Sequence, residues 1–157
     1  SERLEEYQDQ ILDVCRETFG TKGYSRHYRD PFLLEKLPGI AYTLAVMQLN
    51  FQQIDPTYFL LAIDTVANML CGFSVIGRKS GLGEDRYTQL LSAVRKAYWG
   101  RGLYQGLTSL LVQRLPQNAL LLNVTHAENH AIQKAYQKSG RIHLADTVVL
   151  RQFYAIL

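Results

Sequence analysis

The sequence predicts a mixed α/β domain built in layers, with the element order α-α-β-β-β-α-β-α-β-β. Three observations lead there. The opening stretch repeats apolar residues at helical spacing. Short β-rich runs punctuated by turn residues fill the middle. Two further helical stretches each follow directly on an apolar run.

Leu4, Tyr7, Ile11, Val14, Cys15 and Phe19 lie on one helical face, so a helix is expected from Glu2 to Phe19, stopped by Gly20 and Gly23. Residues 24–38 are aromatic and charged with two prolines, which predicts an irregular surface segment. Residues 39–52 read as a second helix, broken by Asp55-Pro56. Residues 58–63 and 69–76 read as strands, residues 78–85 as a glycine-containing hairpin loop, and Arg86–Val94 as a third strand. A helix over residues 103–115 is closed by Pro116. Residues 119–124 are short and nearly all apolar, which predicts a central buried strand. Residues 129–139 form a short helix with Gly140 as its stop, and residues 142–145 and 147–154 read as two last strands.

At 157 residues one domain is expected, with enough material for a sizeable core. A net charge of +3 is too mild for nucleic acid, which calls for a concentrated basic stripe. No apolar stretch is long enough to cross a bilayer and no signal-peptide pattern is present, so no membrane contact and a cytoplasmic location are the expectations. Cys15 and Cys71 sit in apolar surroundings and read as two buried reduced thiols.

The segment from Tyr98 to Leu107 carries the chemistry. It reads as the end of a strand, a tight turn with Gly100 and Gly102, and the first turn of a helix. Such a turn aims free backbone N–H groups at one point, and glycines let an anion approach the backbone. Arg95, Lys96 and Arg101 add positive charge around it. The chemistry it suits best is holding a pyrophosphate. Three superficially similar patterns do not fit. Gly100-x-Gly102-x-x-x-Gly106 is one residue too long for a dinucleotide fingerprint, and residues 77–81 lack P-loop spacing. His126 and His130 stand four apart, but Glu128 is misplaced for a zinc-protease motif and no third ligand is suggested, so no metal is expected.

A second cluster follows the apolar run at 119–124. Asn129-x-Ala131-Ile132-x-x-x-Tyr136-x-x-x-Gly140 opens and closes a helix, and Tyr136 shares a face with Ile132. A phenol is protonated at neutral pH and can donate to a leaving group of similar basicity, such as a thiolate.

Val94-x-x-x-Tyr98-x-Gly100-Arg101-Gly102-Leu103, followed by Asn129-x-x-Ile132-x-x-x-Tyr136-x-x-x-Gly140, resembles the GNAT superfamily of acyl-CoA-dependent N-acyltransferases, from about Tyr58 onward. The resemblance implies a mixed, mostly antiparallel central sheet flanked by helices, with residues 1–55 on the acceptor side and 56–157 as the acyl-CoA-binding core. It implies that Trp99, Gly100, Arg101, Gly102, Leu103 and Tyr104 take the CoA pyrophosphate on their amides. The strand edge at Leu91, Ser92, Ala93 and Val94 would pair with the pantetheine amides as an added strand would, and Asn129 would contact the pantetheine side. Tyr136 would protonate the departing thiolate after direct attack by a substrate amine. Three positions depart from the family pattern: Trp99 stands where Arg or Gln is usual, Tyr104 where Gly or Ala is usual, and Arg141 where Phe is common.

For the general base, Asp64, Glu84, Asp85, His27 and His126 are candidates, and His126 has a suitable ordinary pKa beside the Tyr136 helix. The segment Ser25-Arg26-His27-Tyr28-Arg29-Asp30-Pro31 resembles a GNAT branch that acylates amino groups on nucleotide-linked sugars. It implies that Arg26, His27, Tyr28 and Arg29 bind the acceptor, offering cations for a diphosphate and aromatic faces for a base or sugar. A small amine, a peptide amine or a protein amine is the alternative acceptor, and a catalytically weak acyl-CoA-binding or interaction module the alternative of another class. The family places a strand before its first helix, whereas this chain begins at the helix. Either the chain is a piece of a longer protein or that first strand is dispensed with, and a missing edge strand leaves unpaired backbone groups that a neighbouring copy could cover in a homodimer.

Overall fold

The computed structural model describes residues 2–19, 58–79, 86–125 and 129–143. The residues expected to form the surface segment, the second helix and the two last strands lie largely outside them. Ile142 and His143 are described, are not in a strand, and are exposed.

The chain opens with α1 (Glu2–Glu6) and α2 (Gln8–Phe19). They meet at Tyr7, whose carbonyl still accepts the Ile11 N–H at 2.8 Å, so the expected helix is nearly continuous. Four strands follow, β1 (Phe59–Asp64), β2 (Met69–Lys79), β3 (Arg86–Val94) and β4 (Leu120–Leu122), in the sheet order β1-β2-β3-β4. The first two pairings are antiparallel and the last is parallel. Between β3 and β4 the chain crosses over through α3 (Leu103–Arg114), and α4 (His130–Lys138) follows β4.

Strand alternation puts apolar side chains on both faces of the sheet. On one face Ile11, Val14 and Cys15 of α2 pack against Phe59, Leu70, Phe73, Val75 and Ala93. On the other, Leu107 and Leu111 of α3 pack against Leu60, Ile76 and Tyr87. Burying each such large side chain contributes roughly 1.5–3 kcal/mol. The Leu70 N–H donates to the Gln10 side-chain carbonyl at 2.7 Å and the Tyr7 hydroxyl to Asn68 at 3.2 Å, which fixes α2 along the sheet. Both cysteines are buried free thiols, and burial pushes the Cys15 thiol up to about 12.

Two bulges shape the sheet. Cys71 is the extra residue of β2 opposite β1, and Leu90 the extra residue of β3 opposite β2. At Gly72 the strands come so close that a Cβ would stand 2.7 Å from the Ala93 carbonyl oxygen.

Two expectations need correction. Arg78 and Lys79 belong to β2, not to the hairpin loop, because β2 stays in register with Tyr87 and Arg86 to its end. β4 spans only Leu120–Leu122 of the 119–124 run and is not fully buried. Among the described residues it pairs only with β3, leaving Leu120 40% and Val124 74% exposed.

Candidate functional site

After Val94 the chain leaves the sheet through a 3-10 turn (Lys96–Tyr98) and reaches the two glycines. Gly100 has φ +75° and Gly102 φ +77°, conformations that a side chain would strain. Gly102 is the N-cap of α3, no side chain caps the helix, and no acid stands in its first turn. The first intrahelical bond runs from the Gly106 N–H to the Gly102 carbonyl at 2.9 Å. The N–H groups before it have no helical acceptor and sit at the positive end of the helix dipole. The surface over the turn is open, since a Cβ on Gly100 would meet nothing within 4 Å and one on Gly102 only Gln105 Oε1 at 3.8 Å. An uncapped helix start of this kind is the geometry that suits an anion.

The cations divide. Arg95 is a structural tie: its Nε donates to the Leu70 carbonyl at 2.8 Å and its Nη1 to Glu17 at 3.2 Å, while the other Glu17 oxygen accepts the Lys96 N–H at 2.7 Å. It is therefore not the ligand-facing charge expected. Arg101 is exposed at the turn, with its guanidinium 5.1 Å over the Tyr98 ring. The Tyr98 hydroxyl donates to Asp64 at 3.0 Å. Asp64 also accepts the Val66 and Ala67 N–H groups, each at 3.0 Å. The Ala67 bond, then those from Tyr98 and Val66, hold its carboxyl below the usual carboxylate range. Asp64 closes the β1–β2 turn and is a poor general base. Glu84, Asp85, His27 and His126 lie outside the described residues, as do Arg26, Tyr28 and Arg29.

β3 and β4 splay. They pair only through Arg86–Thr88 and Leu120–Leu122, after which β3 runs on to Val94 with β2 on one side and no strand on the other among the described residues. Leu91, Ser92, Ala93 and Val94 lie on this open stretch. The Trp99 indole N–H donates to the Val94 carbonyl at 2.7 Å, so the last acceptor of the edge is already taken.

Inside the splay stands a polar cluster that the sequence reading missed. Gln89 is its hub. The Gln89 amide nitrogen donates to Ser74 at 2.9 Å and to Ser92, and the two serine hydroxyls meet at 2.5 Å. Gln89 Oε1 accepts from Asn123, from the Tyr104 hydroxyl at 3.4 Å and from Arg141 at 3.5 Å. Asn123 Oδ1 and Arg141 Nη2 are buried without a hydrogen bond. The only sequence signal was polar interruption of apolar runs: Ser74 inside β2, Gln89 inside β3 and Asn123 just after β4.

Tyr136 stands at the border of this cluster. Asn129 caps α4, its side-chain oxygen accepting the Ile132 N–H at 3.4 Å, so its carbonyl already has a structural partner. The Tyr136 ring packs at 6.4 Å from that of Tyr104, and the Arg141 guanidinium lies 4.7 Å over its face. Burial first, then the neighbouring Tyr136, holds the Tyr104 phenol well above its usual range. Among the described residues no group of three His, Cys, Asp or Glu side chains is placed to hold a metal ion, and no helix is long and apolar enough to cross a membrane.

No protein-family model matches the sequence, and no curated protein does. Solved structures do match in fold. One is AAC(6')-Iy in complex with the bisubstrate analogue CoA-S-monomethyl-acetylneamine, at 11% identity and a TM-score of 0.63, covering 96% of this chain and 94% of that one. A second is the NatC complex bound to Gag peptide and CoA, at 19% identity and a TM-score of 0.61, covering 92% and 82%. A third is a ribosomal-protein-alanine N-acetyltransferase from Brucella melitensis, at 14% identity and a TM-score of 0.58, covering 96% and 94%. The fold of this chain is the fold of these acetyltransferases.

Proposed function

Starting from that fold and the open glycine turn it carries, we propose that the protein is an acyl-CoA-dependent N-acyltransferase, with acetyl-CoA the simplest donor. The observation that carries the reading is the uncapped start of α3, opened by two left-handed glycines beside the free edge of β3. Two solved proteins of this fold hold CoA or a CoA bisubstrate analogue, and a third is named an N-acetyltransferase.

In this reading the amides from Gly100 to Tyr104 hold the pyrophosphate, assisted by Arg101, while the Trp99 N–H, expected among them, donates to the Lys96 carbonyl at 3.1 Å. The β3 edge at Leu91, Ser92 and Ala93 aligns the pantetheine arm, with Val94 contributing less because Trp99 occupies its carbonyl. Asn129 borders the arm with its amide nitrogen. A primary amine of the acceptor attacks the thioester carbonyl carbon. The C–N bond forms, the C–S bond breaks, and Tyr136 gives its phenolic proton to the thiolate. His126 takes the proton that the attacking nitrogen loses. Most of the rate comes from positioning.

The acceptor is an amine. The narrower reading, a nucleotide-linked amino-sugar, rests on the segment holding Arg26, His27, Tyr28 and Arg29. A small amine, peptide amine or protein amine draws support from the bisubstrate analogue and the Gag peptide bound in two of the solved structures and from the name of the third. A cytoplasmic location and a homodimer belong to the same proposal. The weak acyl-CoA-binding module is favoured by one observation, the Trp99 indole on Val94.

Tyr136→Phe tests the reading, since it removes only the hydroxyl. The variant is expected to lose about 10²–10⁴-fold in kcat with little change in CoA affinity. An unchanged rate would exclude Tyr136 as the acid.

A further inference from the structure

Alternation along β3 decides which backbone groups its open edge offers. The Arg95 N–H donates to the Cys71 carbonyl at 2.8 Å, just beyond the pair Gly72–Val94. Val94 therefore turns its own N–H and carbonyl away from β2 and into the splay. Ser92, two residues back in the same unbroken register and opposite Ser74, does the same. An extended ligand lying along residues 91–94 thus meets two carbonyl acceptors, at Ser92 and Val94, at the ordinary spacing of a strand.

The second acceptor is occupied from within the chain. The Trp99 indole N–H donates to the Val94 carbonyl at 2.7 Å, taking the place that an amide of an added strand would take. The backbone of Trp99 is anchored separately, because its N–H donates to the Lys96 carbonyl at 3.1 Å. Trp99 closes the 3-10 turn in an extended conformation and is 42% exposed. Swinging the indole outward therefore needs only side-chain rotation, and water can accept its N–H. Exchanging an indole donor for an amide donor at one oxygen is nearly balanced in free energy.

We propose that Trp99 is a displaceable latch on the β3 edge: a pantetheine arm must lift the indole to reach the Val94 carbonyl, so Trp99 sets how tightly the arm is held. This rests on the acyltransferase reading, which places the arm along that edge. A ligand without the arm leaves the latch closed. The indole competes for the same oxygen with the spent cofactor and so favours its release.

Trp99 is the only tryptophan of the chain, so its fluorescence reports on the latch directly. The experiment titrates the full chain with three probes: acetyl-CoA, 4′-phosphopantetheine, which carries the arm without the nucleotide, and ADP, which carries a pyrophosphate without the arm. Acetyl-CoA and phosphopantetheine are expected to change the emission saturably, and ADP to leave it unchanged. Trp99→Phe keeps an aromatic ring and loses the N–H, and by calorimetry it should bind acetyl-CoA about two- to tenfold more tightly than the unmodified chain. Calorimetric binding of acetyl-CoA with unchanged emission overturns the latch and leaves the acyltransferase reading standing. An equal change with ADP also overturns it, since the indole would then face the nucleotide, as does equal or weaker acetyl-CoA affinity in Trp99→Phe. Should that variant fail to fold, the emission titrations decide. If acetyl-CoA binds neither form, the acyltransferase reading itself fails and the latch falls with it.

Discussion

The Tyr104 hydroxyl donates to Gln89 Oε1 at 3.4 Å, and that contact turns the largest side chain of the first turn of α3 inward, toward the sheet. The backbone amide of Tyr104 stays with the glycine turn while its ring joins the polar cluster. A large aromatic residue in the first turn of the helix is thus accommodated without filling the glycine turn. Tyr104→Phe should leave CoA affinity within about twofold and cost about 0.5–1.5 kcal/mol of stability for the lost hydrogen bond. Calorimetry and urea unfolding measure the two quantities. A tenfold change in affinity would mean that Tyr104 faces the ligand.

Gly102 and Gly140 offer a matched pair, because φ is +77° at one and +73° at the other and neither has a close neighbour that a Cβ would strike. Alanine at either position should cost about 1–2 kcal/mol, the ordinary cost of left-handed backbone for a side-chain-bearing residue. Only Gly102→Val, with its branched side chain on the turn, should also weaken CoA binding by tenfold or more. If Gly140→Val weakened binding equally, the loss would reflect strain and not the turn.

Asp64 gives the molecule an acid-sensitive joint. Its folded carboxyl titrates below the ordinary value of 3.8, chiefly through the Ala67 N–H and the Tyr98 hydroxyl. The sign follows from linkage: the unfolded chain binds the proton more readily, so the contribution is present above the unfolded pKa and is lost as pH falls through the folded one. Unfolding midpoints measured from pH 6 downward should therefore fall less steeply below pH 4 for Asp64→Asn than for the unmodified chain. Parallel curves would show that Asp64 is not stabilised in the folded state.

Much of the frame was legible because it is written in local periodicity. The face of Ile11, Val14 and Cys15 marked α2, and the bounds of Arg86–Val94 followed from its β-rich run between charged residues. The glycine turn was legible because left-handed backbone next to a helix start needs Gly100 and Gly102. What escaped was pairing across the sheet. No local pattern tells that β2 holds register through Arg78, or that the 119–124 run pairs over only three residues. The Gln89 cluster escaped for the same reason, since Ser74, Gln89, Asn123 and Arg141 are distant in sequence and each alone reads as an ordinary polar residue. Arg95 shows the reverse error: its position beside the turn suggested a ligand charge, and only the fold reveals Glu17 as its partner.

The most direct test of the account is calorimetric titration of the purified chain with acetyl-CoA, using desulfo-CoA and ATP as controls. The account predicts saturable binding of acetyl-CoA, with ATP much weaker because it offers no pantetheine for the β3 edge. No binding at millimolar acetyl-CoA would contradict it, and would mean that the turn before α3 is structural.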